Sequence, residues 1–148
     1  MTKRHKILIA MFVGALGVAA VPVLACPGGH GSDEAAAPEV KKVTVAELDG
    51  LIKEQKVSVF DANGESTRAK FGVIPGAVLL SSITSYPLDQ LPAAKDKKLV
   101  FYCANTRCTA SHTAAERAIG AGYSDVSVLP DGIMGWKQAG KPVATPQS

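Results

Sequence analysis

The chain has 148 residues, 47% of them apolar and 20% charged, with a formal net charge of +3. That is a globular balance sized for one ordinary domain, which excludes a disordered chain and leaves too little for two full cores. Setting aside Lys3, Arg4 and Lys6 at the start takes 16 Lys+Arg to 13, equal to the 13 Asp+Glu, so no basic excess remains for nucleic acid.

The first element is not part of a fold. Lys3, Arg4 and Lys6 precede an uncharged apolar run from Ile7 to Val21, and Val23-Leu24-Ala25 then offers compact residues for cleavage. This order marks a secretory signal over residues 1–25, so the expected location is exported, in the periplasm. The run is short for a bilayer span and is interrupted by Gly14, Gly17 and Pro22. Val23-Leu24-Ala25-Cys26 also resembles a bacterial lipobox, which implies lipidation of Cys26 as an alternative and a membrane tether by that anchor alone. Leu24 and Pro27 depart from that pattern, and both locations stay open. Residues 26–42 are rich in Gly, Ala and Pro early on and show no apolar period, so they read as a flexible linker.

The domain is expected over 43–145. Thr44 and Glu47 have capping-box spacing, and Val45, Leu48, Leu51 and Ile52 share one helical face. Val57 to Phe60 is a β-rich run ending at Asp61, followed by a turn at Ala62-Asn63-Gly64. Ser66 to Phe71 reads as a short helix closed by Gly72, and Ala77 to Leu80 as a second buried strand. A helical turn is expected at Leu88 to Leu91. Leu99-Val100-Phe101-Tyr102 is a continuous apolar strand, of the kind buried on both faces of a parallel sheet. A helix over Thr109 to Ala121, a strand over Val126 to Leu129 and a last helix over Ile133 to Ala139 complete the series. Alternating strands and helices predict an α/β domain with a mainly parallel sheet of four to five strands flanked by helices.

Two of the three cysteines, Cys103 and Cys108, lie in the domain, too few for a disulfide-built scaffold. Paired CxxC spacing is missing, and His30 in the linker is a poor partner for Cys26, so neither a metal nor a cofactor is expected. Cys103 directly follows the apolar strand, where ligands of open parallel α/β folds sit. The loop Ala104-Asn105-Thr106-Arg107-Cys108 before Thr109 is short enough to curl around its first residue. Inward N–H groups and the start of the next helix would then favour a Cys103 thiolate, with Arg107 as a further anion contact. Such a thiolate attacks a sulfane sulfur, and the resulting persulfide passes its outer sulfur to an acceptor in a second half-reaction. Asp61 and Arg68 are supporting candidates, although Asp61 reads equally as a plain strand end and Arg68 more readily as a surface helix residue. Cys108 is open between resolving Cys103 into an internal disulfide and packing as a small apolar side chain. Ser111 and His112 are neighbours on a helix and diverge, so they form no hydrolase pair.

Five motifs recur in order: Phe60-Asp61, Gly72-Val73-Ile74-Pro75-Gly76-Ala77, Phe101-Tyr102-Cys103, Gly122-Tyr123 with Val126, and Gly132-Ile133 with Trp136. Together they resemble a rhodanese domain from about Val43 to Val143. The resemblance implies the rhodanese-like α/β fold, sulfurtransferase activity and Cys103 as the persulfide carrier. It implies thiosulfate or a persulfide as donor and a thiol or cyanide as acceptor. The family's loop usually places Arg five residues after the cysteine, whereas here Arg107 is fourth and Cys108 fifth, which puts thiosulfate preference in question. Some rhodanese-like proteins resemble this chain in having that second cysteine, followed by Ser111 and Ala114-Ala115. The alternative function is a binding or redox module built on the Cys103/Cys108 pair. A Cys-x5-Arg phosphatase is set aside, because Thr109 stands where the arginine is needed.

Overall fold

The computed structural model describes residues 40–146. The expected signal segment, Cys26, His30 and the linker through residue 39 lie outside the described residues. In chain order the elements are β1 (Lys41–Lys42), α1 (Val45–Lys53), β2 (Ser58–Asp61), α2 (Glu65–Phe71), β3 (Val78–Leu79), a 3-10 turn (Leu88–Gln90), β4 (Leu99–Tyr102), α3 (Ala110–Gly120), β5 (Val126–Leu129) and α4 (Gly132–Gln138). One departure from the sequence reading concerns the linker. Lys41 and Lys42 are not linker but an edge strand, paired with Ser127 and Val128. Their exposed, charged side chains suit a sheet edge, where charge discourages further pairing.

All five strands are parallel, in the order β1-β5-β4-β2-β3. The helices between them form the long crossovers that parallel neighbours need. β4 lies at the centre with every residue buried. Its period of two divides the core cleanly. Leu99 and Phe101 face Ala114, Ala115 and Ala118 of α3, with Phe60, Val126 and Val128 alongside. Val100 and Tyr102 face the opposite layer, with Leu48 of α1, Ile74, and Ile133 and Trp136 of α4. Small alanines on α3 let that helix approach the sheet closely. Phe60 and Phe101 stack at 5.0 Å between ring centroids on the same face.

Local signals agree with this architecture. The Thr44 side chain accepts from the Glu47 N–H, and the Glu47 carboxylate accepts from the Thr44 N–H at 2.7 Å, closing the capping box that starts α1. Phe71 at the end of α2 packs in the layer of α1 and α4, whereas α3 packs in the other. The chain therefore leaves β2 and β4 toward opposite faces. The carboxyl ends of these two adjacent strands form the crevice where ligands bind in such sheets.

Candidate active site

Asp61 ends β2 and pairs in register with Tyr102, which ends β4. Both are fully buried, and the next residue is Cys103. The Tyr102 hydroxyl donates to Asp61 Oδ2 at 2.6 Å and accepts from the Ile74 N–H at 3.0 Å. Burial, then the charge of Asp61 and the hydrogen bond to it, push the Tyr102 phenol far above its usual range, so it remains a donor. Asp61 Oδ1 accepts from the Asn63 N–H at 2.6 Å and lies 3.4 Å from Arg68 Nε.

The surface reading of Arg68 is corrected by its burial. Its Nη2 donates to the main-chain carbonyls of Asp61 at 3.0 Å and Leu80 at 2.9 Å, tying β2 to the chain leaving β3. Such a guanidinium is stable inside only because carbonyls and a carboxylate receive it. Asp61 and Arg68 thus act as supports that fix the end of β4 and the position of Cys103, rather than as contacts to the loop.

Cys103 is only 1% exposed. Its Sγ lies 3.1 Å from the Cys108 carbonyl oxygen, 4.0 Å from that of Asn105 and 3.3 Å from Ser111 Oγ. The loop turns back on itself through the Cys108 N–H, which donates to the Asn105 carbonyl at 3.0 Å. That turn aims carbonyls, rather than N–H groups, at Cys103. N–H groups favour the anion at both sulfurs, those of Ala104 and Ala110 at Cys108 and that of Ser111 at Cys103.

The electrostatics of the two thiols follow from these contacts. Burial pushes the Cys103 thiol up, and the Cys108 side chain raises it further, against the opposing hydroxyl and N–H of Ser111. Burial also acts to raise Cys108, but the hydrogen bond from Cys103 and the N–H groups of Ala104 and Ala110 outweigh it and bring that thiol down. Cys108 is therefore the more acidic thiol of the pair. This corrects the expectation of Cys103 as the resting thiolate. It also corrects the reading of Cys108 as an apolar packing residue.

The remaining loop residues divide by role. Asn105 is half-buried; its Oδ1 accepts from the Arg107 N–H at 3.0 Å, and its Nδ2 points to Met134 Sδ at 3.3 Å. Thr106, Arg107 and Thr109 are exposed. Arg107 thus points to solvent and does not clamp the cysteines. Ala104 is held from below, since its carbonyl accepts from the Met134 N–H at 3.1 Å and that of Cys103 from the Ile133 N–H at 2.9 Å. An open hollow of about 600 Å³ lies beside the loop, with Asn105, Thr106, Asp131, Met134 and Gln138 in its wall. Among the described residues, no group of three or more His, Cys, Asp or Glu is placed to hold a metal.

Two residues outside the expected site prove to belong to it. Ser111 in the first turn of α3 is buried against Cys103. Gly132 has φ +59°, and a Cβ there would lie 2.7 Å from the Ala104 carbonyl oxygen. The Gly132-Ile133 motif in the sequence was the available signal for the second. Neither the left-handed turn nor the close approach admits another residue.

The geometry has a counterpart in known proteins. The family model of the Rhodanese-like domain matches residues 44–139. The chain belongs to the rhodanese-like domain family. Among solved structures, a rhodanese-related protein from Thermoplasma volcanium has 23% identity and a TM-score of 0.54, over 72% of this chain and 99% of that one. A thiosulfate sulfurtransferase from Pseudomonas aeruginosa has 19% identity and a TM-score of 0.61, over 74% of this chain but 21% of that one. A protein of unknown function from Rhodopseudomonas palustris, described as a possible tyrosine phosphatase, has 24% identity and a TM-score of 0.59, over 71% and 85% of the respective chains. These likenesses establish the rhodanese-like α/β fold. No curated protein matches the chain.

Proposed function

We propose that this rhodanese-like protein is a sulfurtransferase that carries a sulfane sulfur as a persulfide on Cys103. The donor is thiosulfate or a persulfide, and the acceptor is a thiol or cyanide. The observation that carries this reading is the position of Cys103 at the carboxyl end of the central strand, with a second thiol and Ser111 around its sulfur.

Burial raises the Cys103 thiol, so its proton leaves to solvent as the donor enters. Cys103 Sγ attacks the donor's outer sulfur as the thiolate and the donor's S–S bond breaks, releasing sulfite or a thiolate. The Ser111 hydroxyl and N–H stabilise negative charge on Cys103. An acceptor then attacks the outer sulfur, and Cys103 leaves as thiolate and takes a proton from solvent. With Cys103 at 1% exposure, a donor reaches it only when the 105–108 turn moves aside. Arg107 swings with that turn, and its guanidinium then becomes available to a sulfonate. The periplasm is the proposed location, with a Cys26 lipid anchor as the alternative. Fatty-acid labelling lost in Cys26→Ala would decide for the anchor.

The folding of Cys108 back against Cys103 also favours a second reading, a redox module without turnover. Thiocyanate formation from thiosulfate and cyanide separates the two. The enzyme reading predicts turnover that Cys103→Ser abolishes. Wild-type turnover no greater than that of Cys103→Ser, with either thiosulfate or a persulfide as donor, would refute it.

A further inference from the structure

A carrier cysteine needs no second thiol, yet here one is built into its loop. Cys108 lies five residues after Cys103, and its carbonyl oxygen is 3.1 Å from Cys103 Sγ, so the loop folds Cys108 back against Cys103. Both cysteines are free thiols. The intervening segment belongs to no helix or strand, so closing it into a ring costs little chain entropy. Cys108 is also the partly exposed member of the pair, and N–H groups from both sides of it favour its anion. A partly exposed, more acidic thiol folded back beside a buried one suits the roles of attacking and attacked sulfur.

We infer that Cys108 resolves the Cys103 persulfide, releasing the sulfane sulfur as sulfide and closing a Cys103–Cys108 disulfide. This second activity, a persulfide reduction, rests on the reading of Cys103 as sulfur carrier. The Cys108 thiolate attacks Cys103 Sγ, a Cys103–Cys108 S–S bond forms, and the bond from Cys103 to the outer sulfur breaks. The outer sulfur leaves as hydrosulfide, taking the proton carried by the persulfide. Two electrons pass from the cysteines to that sulfur, so the cysteines are oxidised and the sulfur is reduced. A small-molecule thiol is the required reductant: two equivalents reopen the disulfide and become a disulfide themselves. Attack on Cys103 Sγ is favoured because hydrosulfide is a less basic leaving group than an alkyl thiolate, and a less basic thiolate leaves faster. The fate of the sulfur then depends on competition. A good acceptor that reaches the persulfide first receives it, and otherwise the sulfur is discharged as sulfide.

The test uses the full chain, reduced, freed of small thiols and kept without oxygen. Thiosulfate and glutathione persulfide are each added at one equivalent, and intact mass and released sulfide are followed. Wild type is expected to lose the mass of two hydrogens while releasing about one sulfide per chain above the protein-free control. Cys108→Ser and Cys108→Ala are expected to gain one sulfur atom, keep it, and release none. Cys103→Ser is expected to remain unchanged. A wild type that retains the added sulfur would overturn the inference while leaving the carrier reading intact. Cys108 variants that fold, shown by an unaltered circular dichroism spectrum, yet acquire no sulfur from either donor would overturn both. A disulfide forming equally fast without donor would also sink the inference.

Discussion

Replacing Tyr102 with Phe tests how the end of β4 is held. The ring stays, so packing against Leu48, Ile74 and Trp136 is preserved. What is lost is one oxygen that donates to Asp61 at 2.6 Å and accepts from the Ile74 N–H at 3.0 Å. A hydrogen bond to a charged group contributes about 1.5–3 kcal/mol, and a buried N–H left without an acceptor costs about 1–3 kcal/mol. Tyr102 and Ile74 are both fully buried, so solvent is poorly placed to compensate. We expect a loss of about 3 kcal/mol, which in a domain of this size lowers Tm by roughly 12–20 °C. Urea unfolding followed by circular dichroism gives the value directly. Asp61→Asn and the double variant complete a cycle, in which the two changes should fall short of additivity by about 1 kcal/mol or more. A Tyr102→Phe loss below about 1 kcal/mol would refute the reasoning, since it would mean that neither bond matters.

Ionisation of the cysteine pair is checked by alkylation with iodoacetamide across pH, read by peptide mass. Because its thiol lies below the usual cysteine range, Cys108 should react with a midpoint below that of a free cysteine, and Cys103 should react last. Cys103→Ala removes a donor to the Cys108 anion, so its midpoint should rise; a fall would contradict the assigned direction. Gly132→Ala meets both a left-handed backbone and a carbonyl oxygen 2.7 Å from the new methyl. We expect it to cost about 2–4 kcal/mol in urea unfolding and to slow sulfur transfer by shifting the Cys103–Ala104 peptide. Stability within about 0.5 kcal/mol of wild type would remove Gly132 from the account.

Much of the fold was readable because its signals are local. Leu99 to Tyr102 has no polar residue, so burial on both faces follows from the residues themselves. Thr44 and Glu47 carry their capping geometry in a four-residue window. Lys41–Lys42 was missed because an edge strand of two exposed lysines has no apolar pattern to detect. Arg68 sits in a short helix, and its burial depends on Asp61 and Leu80, which the chain brings back from two other elements. At the site, position was legible and polarity was not. The strand end before a helix marked Cys103, but the turn that points the Cys108 and Asn105 carbonyls at it depends on backbone angles that residue types do not dictate. Ser111 meets Cys103 only through the register of α3, which begins at Ala110 rather than Thr109.

The most direct measurement is the location of the transferred atom. Cys108→Ser protein exposed to thiosulfate labelled in its outer sulfur with a heavy isotope, or to a similarly labelled persulfide, is digested and its peptides are weighed. The account predicts the heavy sulfur on the peptide position of Cys103, and its loss on addition of cyanide. Heavy sulfur absent from Cys103 with both donors would contradict it.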